Sequence, residues 1–261
     1  MTRKYIVTGA ASGIGASTLA LLKERRAIVF GVDIKGADIN ADLSTKEGRL
    51  VAAAKSIELC GGTIDAVIAC AGLAHPIAKT VSVNFFGVTD YLTEILPALT
   101  KSFSPRVAIT SSMASLMPNS PELVEAMLAL DESKAVAIAQ GLVDKGDAEA
   151  SLIYASTKRA LGRWIRRESI KPEWAGAGIP LNAVGPGIVE TPMVADMIAS
   201  AEARAAIDTM VPMPLNYYLH PRQVAYLLIW LTSMENTHTT GQTIYIDGGS
   251  DAVLRGDNIW S

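Results

Sequence analysis

Short apolar runs alternate with longer helical stretches along the chain. The runs are rich in β-branched residues and predict strands at 5–8, 27–33, 39–41, 64–70, 106–111, 179–184 and 242–246. One helix is predicted at about 13–25, and three more begin at Ser44, at about Ile77 and after Ser151. Ser44 and Glu47 form a predicted capping box at the start of the second helix. Alternating strands and helices build right-handed βαβ units. We therefore predict a single α/β domain over residues 1–261, a Rossmann-type doubly wound parallel sheet of about seven strands.

Composition and charge narrow the class of protein. The chain is 49% hydrophobic and 19% charged, which predicts a folded protein, and its net charge of −3 disfavours binding to nucleic acid. No apolar run reaches the roughly 18 residues of a membrane helix, and the first strand begins too early for a signal peptide. Two cysteines and three histidines lack metal-ligand spacing, so no metal is expected. We expect a cytoplasmic protein that binds no membrane.

A glycine-rich turn follows the first predicted strand and opens the first predicted helix. Gly9, Gly13 and Gly15 in TGAASGIG allow a tight turn whose N–H groups approach a pyrophosphate, although such a turn also occurs without a ligand. Asp33 ends the second strand, where a carboxylate accepts hydrogen bonds from the adenosine ribose and repels a 2′-phosphate. The pattern predicts NAD rather than NADP, and Lys35 is the nearby cation that opposes this assignment.

A second set of residues has the chemistry of hydride transfer. Tyr154 and Lys158 lie four positions apart and share one helix face. Alcohol oxidation needs a group that accepts the hydroxyl proton, and a neighbouring cation favours the phenolate of a tyrosine. Taken alone, such a pair is more often a surface tyrosine and lysine than a catalytic one. Ser111 and Ser112, however, close a predicted strand at the carboxyl edge of the sheet, where open α/β folds bind ligands.

The order of these motifs resembles the short-chain dehydrogenase/reductase family over nearly the whole chain. The resemblance implies that Ser112 contacts the substrate oxygen, Tyr154 is the catalytic base, Lys158 assists it, and Asn84 bends its helix and holds a water beside the lysine. One motif departs from the family, which usually has NNAG where this chain has ACAG at 69–72. The implied cofactor site comprises Gly9, Ser12, Gly13, Ile14, Gly15, Asp33, Asp42, Leu43, Cys70, Ala71, Gly72, Tyr154, Lys158, Pro186, Gly187, Ile188 and Thr191.

The gap between Ser112 and Tyr154 is longer than the family usually has. Residues 118–150 predict a helical insertion, with helices beginning at Ser120 and Asp131. The insertion would emerge beside the helices on which family members oligomerise, so we expect a homodimer. Through this insertion and the segments ADLSTKEGR and IDGGSDAVLR, the chain resembles the bacterial 3α-hydroxysteroid dehydrogenases/carbonyl reductases. That resemblance implies an NAD-dependent oxidoreductase acting on CH–OH groups of hydrophobic alicyclic alcohols.

Residues 191–220 predict a substrate lid, because they are rich in methionine and carry no charge cluster. Met193, Met197 and Met213 are its predicted substrate contacts, together with Ser112, although such residues also occur as core. Three alternatives remain: a cyclic terpenoid alcohol dehydrogenase, a 3-ketoacyl carrier-protein reductase, and a silent NAD-binding protein. The Tyr154 helix also carries a basic stripe, which comprises Arg159, Arg163, Arg166 and Arg167. The stripe would either dock an acidic carrier protein or form a face that is solvated or makes ion pairs with another molecule.

Overall fold

A computed structural model describes residues 2–257 and 259. Within these residues one parallel sheet is formed by β1 (Lys4–Thr8), β2 (Ile28–Asp33), β3 (Ile39–Asn40), β4 (Ala66–Ala69), β5 (Arg106–Thr110), β6 (Leu181–Pro186) and β7 (Thr243–Ile246). The strand order is β3-β2-β1-β4-β5-β6-β7, and every neighbouring pair is parallel. This confirms the predicted doubly wound sheet. The order reverses between β1 and β4, which opens a crevice at their carboxyl ends.

Helices cover both faces of the sheet. They are α1 (Gly13–Glu24), α2 (Lys46–Leu59), α3 (Lys79–Val81), α4 (Gly87–Leu99), α5 (Pro121–Leu128), α6 (Glu132–Lys145), α7 (Asp147–Ala150), α8 (Leu152–Glu168), α9 (Ala201–Met210), α10 (Pro221–Leu231) and α11 (Ser250–Arg255). Apolar residues of α2, α4 and α8 form a core on one face, and those of α1 and α10 form a core on the other. Over residues 2–257 and 259, no helix is long and apolar enough to cross a membrane.

The sequence of the central strand β4 is apolar without alternation because both faces of the strand are buried. Val67 faces the core formed with α2, α4 and α8, while Ile68 faces the core formed with α1 and α10. Both side chains are fully buried. A parallel strand covered on both faces has no solvent side on which polar residues could be placed.

The predicted insertion helices are present. Ser120 caps α5 by accepting a hydrogen bond from Leu123 N at 3.3 Å, and Asp131 caps α6 by accepting one from Lys134 N at 2.9 Å. Each side chain satisfies an N–H group that the first helical turn leaves free. The backbone of Ser120 also donates to Ser156 Oγ at 2.9 Å, which attaches the start of the insertion to α8. The short helix α7 was not predicted.

Two local predictions need correction. The cap of α2 is Thr45, which accepts from Gly48 N at 3.0 Å, because the Ser44 hydroxyl is already bonded to Asp42 Oδ1 at 2.6 Å. The basic stripe forms an ion pair within the chain, since Arg163 bonds Glu125 of α5 at 2.5 Å. Arg166 and Arg167 are exposed, and Arg159 is partly buried.

Candidate active site

A cavity of about 760 Å³ opens at the carboxyl edge of the sheet, where β1, β2, β4, β5 and β6 end. The predicted residues that line it are Gly9, Ser12, Gly13, Ile14, Gly15, Asp33, Asp42, Leu43, Cys70, Ala71, Gly72, Ser112, Tyr154, Lys158, Pro186, Gly187, Ile188, Thr191, Met193 and Met197. Asn84 and Met213, both within the described part of the chain, do not line it. The topology therefore brings distant segments to one site.

The turn between β1 and α1 is packed too closely for side chains. Gly9 has φ +67°, and a Cβ there would lie 2.7 Å from Ala71 N. A Cβ on Gly15 would lie 2.0 Å from Gly9 O. Ser12 makes no capping hydrogen bond with any described residue, so the first-turn N–H groups of α1 have no capping side chain. Free N–H groups at a helix N-terminus lining a cavity fit the diphosphate of a dinucleotide.

Two carboxylates stand at the same end of the cavity. Asp33 accepts hydrogen bonds from Ala11 N at 2.9 Å and Ile34 N at 2.7 Å, which hold it beside the glycine turn. This position fits an acceptor for ribose hydroxyls. Asp42 bonds Ser44 and, at 3.2 Å, the ammonium of Lys79. The hydrogen bond from Ser44 lowers the pKa of Asp42, so it is ionised near neutrality.

The phenol of Tyr154 lies beside Ser112 and near Lys158. Burial raises the pKa of Tyr154, and the hydrogen bond with Ser112 acts in the opposite direction. Lys158 is buried, donates to Thr110 O at 3.0 Å, and lies 5.6 Å from the centre of the Tyr154 ring. Burial lowers the pKa of Lys158 to about 8. The neighbouring Ser111 has a buried hydroxyl that finds no partner in residues 2–257 and 259.

Asn84 connects the catalytic helix to the loop after β4. It lies in a π-helical turn, Ser82–Phe86, between α3 and α4, which is the predicted bend. Its Oδ1 accepts from Leu73 N at 2.7 Å, and its Nδ2 donates to Leu73 O at 2.9 Å and to Thr157 Oγ1 at 3.1 Å. Both amide hydrogens are therefore used by the protein. The water that Asn84 was expected to hold stays a prediction.

The other end of the cavity is apolar. Met193 and Met197 are 46% and 44% exposed, and the sequence reasoning missed Met113, Met117 and Ile207 on the same walls. Met113 directly follows Ser112, so its place after a strand end was the available signal.

Met213 does not line the main cavity, and its predicted contact with the substrate stays a prediction. Its sulfur lies 3.1 Å from where a Cβ on Gly187 would stand, and its methyl group lies 3.0 Å from the corresponding point on Gly248. The absence of both Cβ atoms lets Met213 pack against these two backbone segments. The side chain is therefore a packing residue outside the lining of the main cavity.

A family model described as "Enoyl-(Acyl carrier protein) reductase" matches residues 9–251. The chain is also 35% identical over 255 residues to the 3-alpha-hydroxysteroid dehydrogenase/carbonyl reductase of Comamonas testosteroni, covering 96% of this chain and 97% of the relative. The chain belongs to the short-chain dehydrogenase/reductase family. It is an oxidoreductase of this type that uses a nicotinamide cofactor. This confirms the resemblance found in the motifs.

Two further relatives are similar over nearly the whole chain. The 3-alpha-hydroxysteroid dehydrogenase from Pseudomonas sp. B-0831, whose structure is complexed with NADH, has a TM-score of 0.88 and 36% identity, covering 98% of this chain and 100% of the other. The cis-4-hydroxycyclohexanecarboxylate dehydrogenase of Sinomonas cyclohexanicum is 29% identical over 267 residues, covering 96% of this chain and 97% of the relative.

The loop after β4, where this chain departs from the family's NNAG motif, is held by hydrogen bonds to Thr8 and Thr110. Cys70 N and Ala71 N both donate to Thr8 Oγ1, at 3.2 and 3.1 Å. The Cys70 sulfur accepts from Thr110 Oγ1 at 3.2 Å, and burial raises the pKa of this thiol to about 11. Cys70 is thus a protonated structural residue, and the loop meets the glycine turn through its backbone.

Proposed function

We propose that this oxidoreductase transfers a hydride between NAD(H) and an uncharged, hydrophobic secondary alcohol or ketone of the alicyclic class, with 3α-hydroxysteroids as the leading substrates. One observation carries the proposal. A single cavity joins the glycine turn and Asp33 at one end to a methionine-lined end, and Ser112 and Tyr154 lie between them. A hydrophobic alcohol bound at the apolar end would place its hydroxyl at the phenol.

Each residue at the junction has a role that its contacts support. Oxidation removes a hydride from the carbinol carbon and a proton from the hydroxyl group. When bound, the nicotinamide ring supplies the hydride acceptor. Tyr154 takes the proton, and Ser112 donates a hydrogen bond to the substrate oxygen. Lys158, held by Thr110 O, is an ammonium below its pKa of about 8 and favours the phenolate.

The choice of NAD over NADP follows from the charge at the adenosine end. Asp33 lines the cavity directly beside the glycine turn, and no cation of the described residues forms an ion pair with its carboxylate. A 2′-phosphate at this point would meet a negative charge. The relative of known structure that was solved with NADH supports the same choice.

The substrate end favours a neutral molecule. The charged residues that line the cavity are Asp33, Asp42, Lys79 and Lys158, and the first three lie at the cofactor end. In the described part of the chain, the methionine-lined walls carry no group that would pair with a carboxylate. A cyclic terpenoid alcohol meets the same requirement. An acyl carrier substrate is disfavoured by Asp33, because biosynthetic reductions generally draw on NADP.

We further propose that the protein is a homodimer. Helix α5 buries Leu123, Val124 and Met127 and packs against α8, so the insertion occupies part of the surface of the catalytic helix. Assembly through that helix is thereby obstructed. Light scattering of the purified protein tests this, and a tetramer would contradict it.

The decisive experiment follows NADH formation by absorbance with a panel of 3α-hydroxysteroids, cyclic terpenols and small hydroxy acids, with NADP in parallel. Tyr154→Phe should lower kcat by about 10²- to 10⁴-fold while NADH still binds, since only the proton acceptor is lost. Silence on every alcohol, with tight NADH binding by the wild type, would overturn the proposed substrate class in favour of a class outside the panel first and a silent NAD-binding protein second.

A further inference from the structure

We infer that Arg49 and Glu132 are positioning residues through which the helical insertion holds the adenine-side wall of the cofactor cavity. The inference rests on the proposed binding of NAD in that cavity. Arg49 belongs to α2, and Glu132 lies in the first turn of α6 within the insertion. Neither side chain lines the cavity, so any effect on the cofactor is exerted through the wall itself.

The Arg49 side chain supports this wall from behind. It is 1% exposed, donates from Nε to Leu43 O at 2.8 Å and from Nη2 to Ser44 O at 3.2 Å. Leu43 and the preceding Asp42 both line the cavity. A guanidinium that bonds two consecutive carbonyl groups fixes the course of the backbone between them. Arg49 therefore determines where these two lining residues stand.

Glu132 in turn orients Arg49. Its two carboxylate oxygens accept from Nη2 at 2.6 Å and from Nη1 at 2.7 Å, which is a bidentate pair. Asp90 of α4 provides a single further contact to Nη1 at 2.9 Å. Paired planar groups restrict the guanidinium far more than one bond does. Removing the charge of Glu132 would leave Asp90 as the one ion-pair partner of Arg49 among the described residues, and the guanidinium would hold Leu43 O and Ser44 O less firmly.

The same arginine reaches the start of the π-helical turn, because Nη2 also donates to Ser82 O at 3.2 Å. The insertion is thus joined to the turn that carries Asn84 as well as to the adenine-side wall. Asn84 keeps its own bonds to Leu73 and Thr157, and Lys158 is held by Thr110 O. The expected effect is therefore confined to the adenine half of the dinucleotide.

The test uses Glu132→Gln, which keeps the shape of the side chain and removes its charge. Glu125→Gln is the matched control, because Glu125 also lies in the insertion and pairs with an arginine of the main fold, Arg163. The measured quantities are the Kd for NADH by fluorescence, the inhibition constants of 5′-AMP and nicotinamide mononucleotide against NAD, and Tm. NADH and 5′-AMP should bind about fivefold more weakly to Glu132→Gln, with nicotinamide mononucleotide unchanged.

Glu125→Gln should leave all three binding constants at the wild-type values. A second variant, Arg49→Lys, keeps the charge but cannot bond Leu43 and Glu132 together, and it should weaken 5′-AMP as Glu132→Gln does. Unchanged 5′-AMP binding in a folded Glu132→Gln protein, even with a lower Tm, would overturn the inference. Equal weakening of both half-molecules would also overturn it. A wild type that binds no NADH would instead refute the proposed function.

Discussion

At the cofactor end of the cavity, a Cβ on Gly9 or Gly15 would collide with backbone atoms, whereas at the substrate end Met193 and Met197 are almost half exposed. The first end is made of backbone segments in direct contact and of carboxylates bonded to N–H groups. The second is made of apolar side chains, among them Met113 and Met117 after β5 and the methionines of the segment after Thr191. In the described residues, α9 of that segment buries no side chain completely.

The two ends of the cavity therefore differ in how much sequence variation they allow. A backbone-built end tolerates few substitutions, because the contacts that would change belong to the sheet and its first helix. An end built from methionines can change its shape and its substrate without disturbing the sheet. Ser112 and Tyr154 lie at the junction and depend on both ends.

Ser112→Ala tests the junction and should have the largest effect of the four substitutions considered next. Loss of one donor to the substrate oxygen should lower kcat by about 10²- to 10³-fold. The hydrogen bond from Ser112 lowers the pKa of Tyr154, so its removal raises that pKa. Because oxidation needs the phenolate, the pH profile of kcat/KM, which reports the free enzyme, should shift to higher pH. An unshifted profile would contradict the assigned contact between the two side chains.

Asp33→Ala tests the electrostatic part of the cofactor end. Without the carboxylate, a 2′-phosphate is no longer repelled, and the ratio of kcat/KM for NADP to that for NAD should rise by about 10- to 100-fold. Part of the change should come from weaker NAD binding, since a ribose acceptor is lost. Steady-state kinetics with both cofactors measure the ratio. A constant ratio would show that Asp33 does not select the cofactor.

Gly9→Ala tests the steric part of the same end, with Gly178→Ala as the matched control. Both glycines have positive φ, +67° and +70°, but a Cβ meets Ala71 N at 2.7 Å in the first case and nothing within 4 Å in the second. Backbone strain is therefore common to both variants. Gly9→Ala should lose about 1–3 kcal/mol more stability than the control and bind NADH about tenfold more weakly. Denaturant unfolding and NADH titration compare them, and equal results would refute the packing argument.

Met193→Ala tests the substrate end and should have the smallest effect. Its loss should raise KM for a hydrophobic alcohol about fivefold, equivalent to roughly 1 kcal/mol of apolar contact, with kcat and NADH binding unchanged. Met234, 53% exposed and away from the cavity walls, provides the control, and Met234→Ala should leave KM unchanged. Equal KM values in the two variants would remove Met193 from the substrate site.

Sequence patterns predicted the sheet, the glycine turn and the insertion helices because each depends on local chemistry. The caps Ser120 and Asp131 act on N–H groups three residues away, so spacing alone reveals them. The cap of α2 was misassigned because Ser44 and Thr45 both have a suitable hydroxyl. The position of Asp42 decided between them by binding Ser44.

Patterns along the chain were thus enough to predict the family, the doubly wound parallel sheet and most of the residues that line the cavity with Tyr154, since each depends on local spacing. Which methionines line the cavity depends on how the chain packs, because Met213 and Met193 have the same chemistry and differ only in their neighbours. The tertiary structure also decided the partners of Arg49 and Arg163. Ion pairs between residues 38 and 83 positions apart depend on how helices pack, and no local pattern encodes that distance.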